Sequence, residues 1–492
     1  MTALSHGQRS LWFLHHLAPE ESAYNIAAAS RVRSLVDAET LERAFQALTD
    51  RHAALRTAFP AAAGEPRRRV AAQETFVLAR EDASEWSEAR LRAWLAEEAW
   101  RPFDLERGPL VRATLLTGAP GGPVLLFVIH HIVADFWSLA ILMRELPVLY
   151  REAAGGGPAG LGPPGLPYEE HVRREQEMLT GGRGEALVDF WQRELAGLPA
   201  LDLATDRPRP AVQTWRGECR RLLLPAGLVA ALRARSRAQH GTLFMTLTAA
   251  FQALLGRHTG QEDLAVGAPR SGRTAADFAG TVGYFVNPVV LRGDLSGDPA
   301  FSALQERTRT RVLAAFEHGD VPLPYLVEQL QVERDAGRPP LFQVSFVMQK
   351  ETRGVEGLTA FALGEEGALV GPEDFRLETL SPARPPAPFE LMLHVVERRG
   401  GLHLALQYNT DLFDGTTAER LLDRFATLLR SAVESPERAL SALPLLSEAE
   451  RHQLLQAWND TAEAVPEVSL FELFAAQVER TPEAVAVVFD EE

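Results

Sequence analysis

An α/β protein of two or three domains, or of two lobes sharing an interface, is what this sequence predicts, on three observations. Helix-period and strand-like segments alternate along the chain. One Gly/Pro-rich stretch, residues 155–167 (GGGPAGLGPPGLP), breaks that alternation and cannot hold regular structure. The length, 492 residues, exceeds one ordinary compact domain and suits two or three domains or two lobes sharing an interface. The expected division is 1–167 for the first lobe, 168–440 for the second, and a compositionally different, acidic tail over 441–492.

Individual segments carry this reading. In 41–55 (LERAFQALTDRHAAL) Leu41, Phe45 and Leu48 fall at helical spacing. Val124 to His131 (VLLFVIHH) is an apolar run of strand length, rich in Val, Ile and Phe, and reads as a buried strand. Ser138 to Tyr150 reads as a helix with Ser138 as its N-cap and with Pro147 placed to end or kink it. Thr242 to Gly256 is a further helix, and Gln343–Met348 and Leu402–Tyr408 are strands.

Composition narrows the function. Hydrophobic residues make up 46% and charged residues 24% of the chain, the proportions of a soluble globular protein with a sizeable core. With 50 Lys and Arg against 66 Asp and Glu, the net charge of −16 argues against nucleic-acid binding. Any acidic partner would have to dock on a local basic or apolar patch. Cys219 is the sole cysteine, so an intrachain disulfide is excluded and a cysteine-based metal site disfavoured. No apolar run reaches membrane-spanning length and the first residues carry no export signal. A reducing, cytoplasmic setting without membrane contact is the expectation.

The densest chemistry lies in His130-His131-Ile132-Val133-Ala134-Asp135-Phe136-Trp137-Ser138. A histidine just past a buried strand sits between protein and cleft, and its ordinary pKa near 6.5 lets it accept and return a proton at neutral pH. Adjacent side chains at a strand end point to opposite faces, so only one histidine should meet substrate. Asp135 could orient the turn through an arginine or fix a histidine tautomer. Two adjacent histidines without an evident third ligand argue against metal binding here.

Other stretches keep company with this one, in order: Ser5-His6-Gly7-Gln8-Arg9-Ser10-Leu11-Trp12; Arg51-His52-Ala53-Ala54-Leu55-Arg56-Thr57-Ala58-Phe59; Phe103-Asp104-Leu105 with Pro109-Leu110-Val111-Arg112; Asp189-Phe190-Trp191; Asp206-Arg207-Pro208-Arg209-Pro210; Val282-Gly283-Tyr284-Phe285-Val286-Asn287; His318-Gly319-Asp320-Val321-Pro322; Arg334-Asp335; and Pro340-Leu341-Phe342. Together with HHxxxD and the following Trp-Ser, the series over about residues 4–445 resembles the condensation domains of nonribosomal peptide synthetases, members of the chloramphenicol acetyltransferase-like superfamily.

That resemblance implies two such lobes forming a V-shaped pseudodimer around a central tunnel. It implies a donor acyl thioester attacked by the amine of a carrier-bound aminoacyl acceptor, both on phosphopantetheine arms of carrier proteins or with acyl-CoA as donor. No tightly bound cofactor and no metal are implied. His131 takes the catalytic position, as general base or as positioner, with His130 a packed strand residue and Asp135 a structural partner of an arginine, for which Arg292 and Arg270 are the candidates. Phe136, Trp137, Ser138 and Asn287 would line the substrate tunnel. Trp12, Arg56 and Trp191 would be structural.

Two departures bear on subtype. Phe136 stands where the family usually has glycine, which leaves room for the pantetheine thioester; either it turns aside and shapes a tunnel for an unusual acyl donor, or it marks a non-catalytic recruitment domain. His15-His16-Leu17 begins the second motif of dual epimerising and condensing relatives, but Ser22-Ala23 replaces the expected Gly-Asp. With Met1 taken as the natural start, these features favour a fatty-acyl starter domain, with peptidyl elongation from an L-configured donor as the alternative. Leu443 to Glu450, Trp458-Asn459-Asp460-Thr461, Leu470 to Phe474 and Arg480-Thr481-Pro482 resemble the linker and first helix of an adenylation domain, implying a downstream adenylation partner in the same synthetase.

Overall fold

The computed structural model describes residues 2–489 apart from 63, 274, 333–334, 352–353, 355, 399 and 465–466; Arg334 of the Arg334-Asp335 pair thus lies outside the described residues. Among the described residues, twelve strands form the two principal sheets. In chain order they are β1 (Asn25–Val32), β2 (Leu78–Asp82), β3 (Val111–Thr117), β4 (Val124–His130), β5 (Gly217–Pro225), β6 (Asp263–Arg270), β7 (Asn287–Asp294), β8 (Val344–Lys350), β9 (Leu369–Val370), β10 (Leu377–Leu380), β11 (Leu391–Arg398) and β12 (Gly401–Asn409).

The first sheet runs β9-β10-β1-β4-β3-β2 and the second β7-β6-β8-β11-β12-β5. Both are mixed: β2 pairs parallel with β3, and β8 pairs parallel with β6 and β11, while the other neighbours are antiparallel. Strand β4 is central in the first sheet and buried at every position, which is why its sequence is an unbroken apolar run rather than an alternating one. Its last residue, His130, pairs in register with Asn25 at the start of β1. The sheet therefore ends where the two histidines begin.

Each sheet is backed by helices carrying an apolar face. Helices Ala38–Arg51 and Phe136–Ala153 pack together in the first lobe, where Leu41, Phe45 and Leu48 are buried, as their spacing predicted. In the second lobe Leu243–Thr259 is capped by Thr242, whose side chain accepts the Met245 N–H, and ends at Gly260 in the left-handed conformation (φ 72°). It shares one core with Gly415–Glu434 and the inner face of β8, β11 and β12.

Two local expectations are corrected. The N-cap of the helix after the histidines is Asp135, not Ser138, which sits inside the first turn. A carboxylate at that position accepts orphan helix N–H groups and suits the positive end of the helix dipole. Pro147 neither ends nor replaces the helix, which continues to Ala153. The linker 155–167 has no helix or strand, as its composition required.

A contiguous split at 167 does not describe the sheets completely. Strands β9 and β10 come from far downstream, yet they extend the first sheet beside β1. Leu358, Val370, Phe375, Leu377 and Leu380 are buried in the first lobe's core. The short helix Thr359–Leu363 touches β1 and β10 on one side and β11 and β12 on the other. Residues 1–445 accordingly form one compact unit.

The remaining unit, 446–492, holds helices Glu448–Leu455 and Leu470–Arg480, each opened by a Ser/Glu capping box. Its apolar side chains Leu470, Phe471 and Phe474 are exposed.

Phe346 of β8 is fully buried, its ring tilted against Phe244 and Phe251 at 5.5 and 5.9 Å. Truncating it to alanine leaves a cavity that these neighbours cannot fill. Phe346→Ala is expected to cost about 3–5 kcal/mol, read as a lower urea midpoint with an unchanged slope.

Candidate active site

Beyond β4 the chain turns through a short 3-10 segment, His131–Val133, before the Phe136–Ala153 helix. His130 is only 4% exposed. Its Nδ1 accepts the Ile132 N–H at 3.1 Å, and its ring meets Phe103 and His15 edge-on. Burial, then the neighbouring His15 and His131, holds its pKa well below the ordinary value. It is a packed, neutral strand residue.

His131 is half-buried, and its backbone N–H donates to Tyr24 O at 2.7 Å. Its Nδ1 lies 2.7 Å from Ala134 O. A carbonyl oxygen can only accept, so Nδ1 carries the proton and Nε2 keeps its lone pair. Burial lowers the His131 pKa, against the opposing Asp135 charge and the bond to Ala134. The result is a neutral imidazole of defined tautomer whose Nε2 has no hydrogen-bond partner among the described residues.

Asp135 holds the turn. It is 1% exposed, and its Oδ1 accepts the Ser138 N–H at 2.7 Å and Arg273 Nη2 at 2.9 Å. Oδ2 accepts the Phe285 N–H at 3.3 Å. The expected arginine partners are corrected here: Arg270 pairs with Asp320, and Arg292 with Asp263. The partner is Arg273, whose side chain is 5% exposed. Its Nη1 donates to Phe278 O and Thr281 O at 2.9 and 2.7 Å, and its guanidinium carbon stands 4.0 Å from the Phe285 ring centroid. One salt bridge thus joins the histidine turn to the 273–285 loop of the second half.

Ser138 reinforces the same join. Fully buried, its hydroxyl lies 2.7 Å from Asp135 Oδ1 and 2.9 Å from Gly283 O, and it accepts the Gly283 N–H at 3.1 Å. Trp137, 43% exposed, donates Nε1–H to Ala279 O at 3.0 Å. Phe136, at the first helical position, is half-buried against the first lobe's core. Asn287 is committed elsewhere: its amide donates to Gly319 O and Val321 O and accepts the Leu323 N–H, bracing the 319–323 turn.

The first motif closes the site from the other side. Ser5 caps helix His6–Leu17, and Gln8 Nε2 donates to Ile132 O at 3.0 Å. The Tyr168 hydroxyl lies 3.0 Å from Ser5 Oγ and donates to Tyr284 O. A Cβ on Gly7 would come within 2.6 Å of the Tyr284 ring, so that glycine makes room for it. Trp12, Arg56 and Trp191 have backbone partners: Trp12 donates to Phe59 O, Trp191 to His318 O, and Arg56 to carbonyls including Thr49 O.

Sequence reasoning missed Arg273, Tyr24, Tyr168 and Tyr284 as site residues. For Arg273 a signal existed: it follows Gly272, whose φ is 63° and whose hypothetical Cβ would collide with Phe285 O at 1.8 Å. A Gly-Arg pair in a loop near the Tyr-Phe motif is what such a close approach needs. For the tyrosines no local pattern separated a site residue from a core aromatic.

A family model described as the condensation domain matches residues 1–455. The chain belongs to the condensation-domain family. It is an amide-forming acyltransferase of the nonribosomal peptide synthetase type. The condensation domain is 39% identical over 501 residues to a linear gramicidin synthase of Brevibacillus parabrevis, across 99% of this chain. It spans 6% of that relative's length. Among solved structures, the X-domain in complex with OxyB from teicoplanin biosynthesis is similar at 28% identity and TM-score 0.81, over 91% of this chain and 96% of that one. The starter condensation domain of rhizomide synthetase, in complex with C8-CoA, shares the fold at 20% identity and TM-score 0.74, over 90% and 98%. Two mixed sheets in two chloramphenicol acetyltransferase-like lobes are thus the architecture of this condensation domain. Among the described residues no helix is long and apolar enough to cross a membrane.

Removing Arg273 would leave the Asp135 carboxylate buried without its cation. Arg273→Ala is expected to cost about 3–5 kcal/mol in chemical denaturation, and Arg273→Lys to recover only part of it, since lysine lacks the fork that reaches Asp135, Phe278 and Thr281 together.

Proposed function

We propose that this condensation domain joins a donor acyl thioester to the amine of an aminoacyl acceptor, both held on phosphopantetheine arms of carrier proteins, with His131 Nε2 receiving the amine's proton. The uncommitted, neutral Nε2 carries the reading. An amine is nucleophilic only without its extra proton, so the group beside it must be a neutral acceptor at working pH. Asp135 and Arg273 keep the turn that presents the ring. No metal or tightly bound cofactor enters this reaction; the pantetheine arms arrive with the substrates. A tunnel between the lobes, with His131 midway, would let donor and acceptor arrive from opposite ends.

For the donor, we favour a carrier-held peptidyl or aminoacyl chain, as in elongation. The support is the 39% identity to the linear gramicidin synthase over nearly the whole chain. A fatty-acyl starter donor, on a carrier or as acyl-CoA, is the second reading. Phe136 supports it: its bulk replaces the usual glycine, and its side chain packs half-buried against the first lobe's core. We read residues 441–492 as the linker and start of an adenylation domain, because the condensation match stops at 455 while the alignment to the gramicidin synthase runs across 99% of the chain.

Intact-mass detection of acyl transfer separates these donors. The full chain is mixed with a leucyl-loaded acceptor carrier and either an acetyl-leucyl-loaded carrier, an octanoyl-loaded carrier or octanoyl-CoA. Acceptor mass gain from acetyl-leucyl alone supports elongation; gain from an octanoyl donor supports the starter reading. His131→Ala is expected to lower the single-turnover rate at least a hundredfold; wild-type rate in that variant would overturn the role given to Nε2. With the His131 pKa lowered by burial, protonation removes the acceptor lone pair only in acid. The rate should therefore hold through neutrality and fall as pH drops, with its midpoint below 6.5.

A further inference from the structure

We infer that the Tyr284 hydroxyl is a catalytic group of this condensation domain, donating a hydrogen bond to the carbonyl oxygen of the donor thioester as that oxygen becomes an oxyanion. The inference rests on the reading of His131 as the reaction centre. It begins from a tyrosine held with unusual care. Its backbone carbonyl accepts the Tyr168 hydroxyl, and the preceding Gly283 is bound at both N–H and C=O by Ser138. Its ring occupies space that exists only because residue 7 is glycine. It meets the His131 ring edge-on, centroids 5.1 Å apart and planes at 90°.

A phenylalanine would satisfy every one of those contacts. The hydroxyl has no hydrogen-bond partner among the described residues, although the side chain is partly buried beside a histidine and packed on the first lobe's core. A polar group placed there at a desolvation cost and left uncommitted is suited to a ligand. Burial, then the neighbouring Tyr24 phenol and Asp135 carboxylate, pushes the Tyr284 pKa further up. The phenol therefore keeps its proton and serves as a donor, not as a base. Tyr24 is also near, but what it gives His131 is its backbone carbonyl, not its ring.

The chemistry closes with these two side chains. The acceptor nitrogen attacks the thioester carbon, a C–N bond forms, and the C=O π pair moves onto oxygen, where the Tyr284 O–H donates to it. His131 Nε2 takes the proton released by nitrogen. The oxygen pair then returns, the C–S bond breaks, and the pantetheine sulfur leaves as a thiol with the proton from His131. The acyl group ends on the acceptor amine. Tyr284 neither gains nor loses a proton.

The test is single-turnover acyl transfer by the full chain, using a leucyl-loaded acceptor and whichever of the acetyl-leucyl- and octanoyl-loaded donors the wild-type protein uses. Tyr284→Phe keeps the ring and removes only the donor. The expected result is a fall of about a hundredfold in the rate at saturation, with donor concentration dependence, thermal midpoint and the acid limb of the pH profile unchanged. Wild-type rate in Tyr284→Phe overturns the assignment. So does a loss accompanied by a shifted acid limb, which would make Tyr284 a positioning residue acting through His131. If His131→Ala transfers as fast as wild type, the reading of the centre fails first and this inference falls with it; if His131→Ala is dead and Tyr284→Phe is normal, only the inference fails.

Discussion

The site depends on one buried carboxylate. Asp135 caps the Phe136–Ala153 helix, receives Ser138, binds Arg273 and accepts the Phe285 N–H. Left alone in that interior it would be strongly destabilising; fully partnered, it makes one geometry far better than its neighbours. That geometry sets the turn in which Ala134 O meets His131 Nδ1, and hence which ring nitrogen is basic. The reading of His131 as the reaction centre rests on its tautomer, and that tautomer follows from the packing of the next four residues.

The same carboxylate explains how a site can be shared by two halves of the chain. Arg273 and Gly283–Phe285 come from the loop between β6 and β7, whereas Asp135 and Ser138 follow β4. The downstream strands β9 and β10, zipped onto β1, bind the halves a second time. Helix Thr359–Leu363 lies between both sheets. These ties join the two sheets on either side of the histidine turn; the proposed reaction needs such a fixed point, at which the attacking atom and the carbonyl meet.

Phe136 illustrates how a departure from a family pattern is absorbed. As first residue of a helix capped by Asp135, its side-chain direction is set by the helix start, and the first lobe offers it an apolar surface. Its ring is half-buried on that surface. The cap of the helix is made by residue 135 and not by 136.

The family resemblance implied the pairing of an aspartate with an arginine; the sequence by itself determined the α/β class, the buried strand ending in two histidines, and the helical segments within 41–55 and 242–256. These are legible because periodicity, apolar runs and turn chemistry are local properties. Which arginine, which tyrosines and which cap were decided by the tertiary structure alone. Arg270, Arg273 and Arg292 lie within one stretch, and the Gly272-Arg273 pair acquires its meaning only in three dimensions, where Gly272 closes on Phe285 and Arg273 reaches Asp135. Ser138 and Asp135 are both good capping residues, and the choice fell to Asp135 because the buried guanidinium needed a charge at that point. The segment 369–380 reads as ordinary second-half sequence, yet it lies in the first sheet, since strand pairing is set by which edge is free in space and not by distance along the chain.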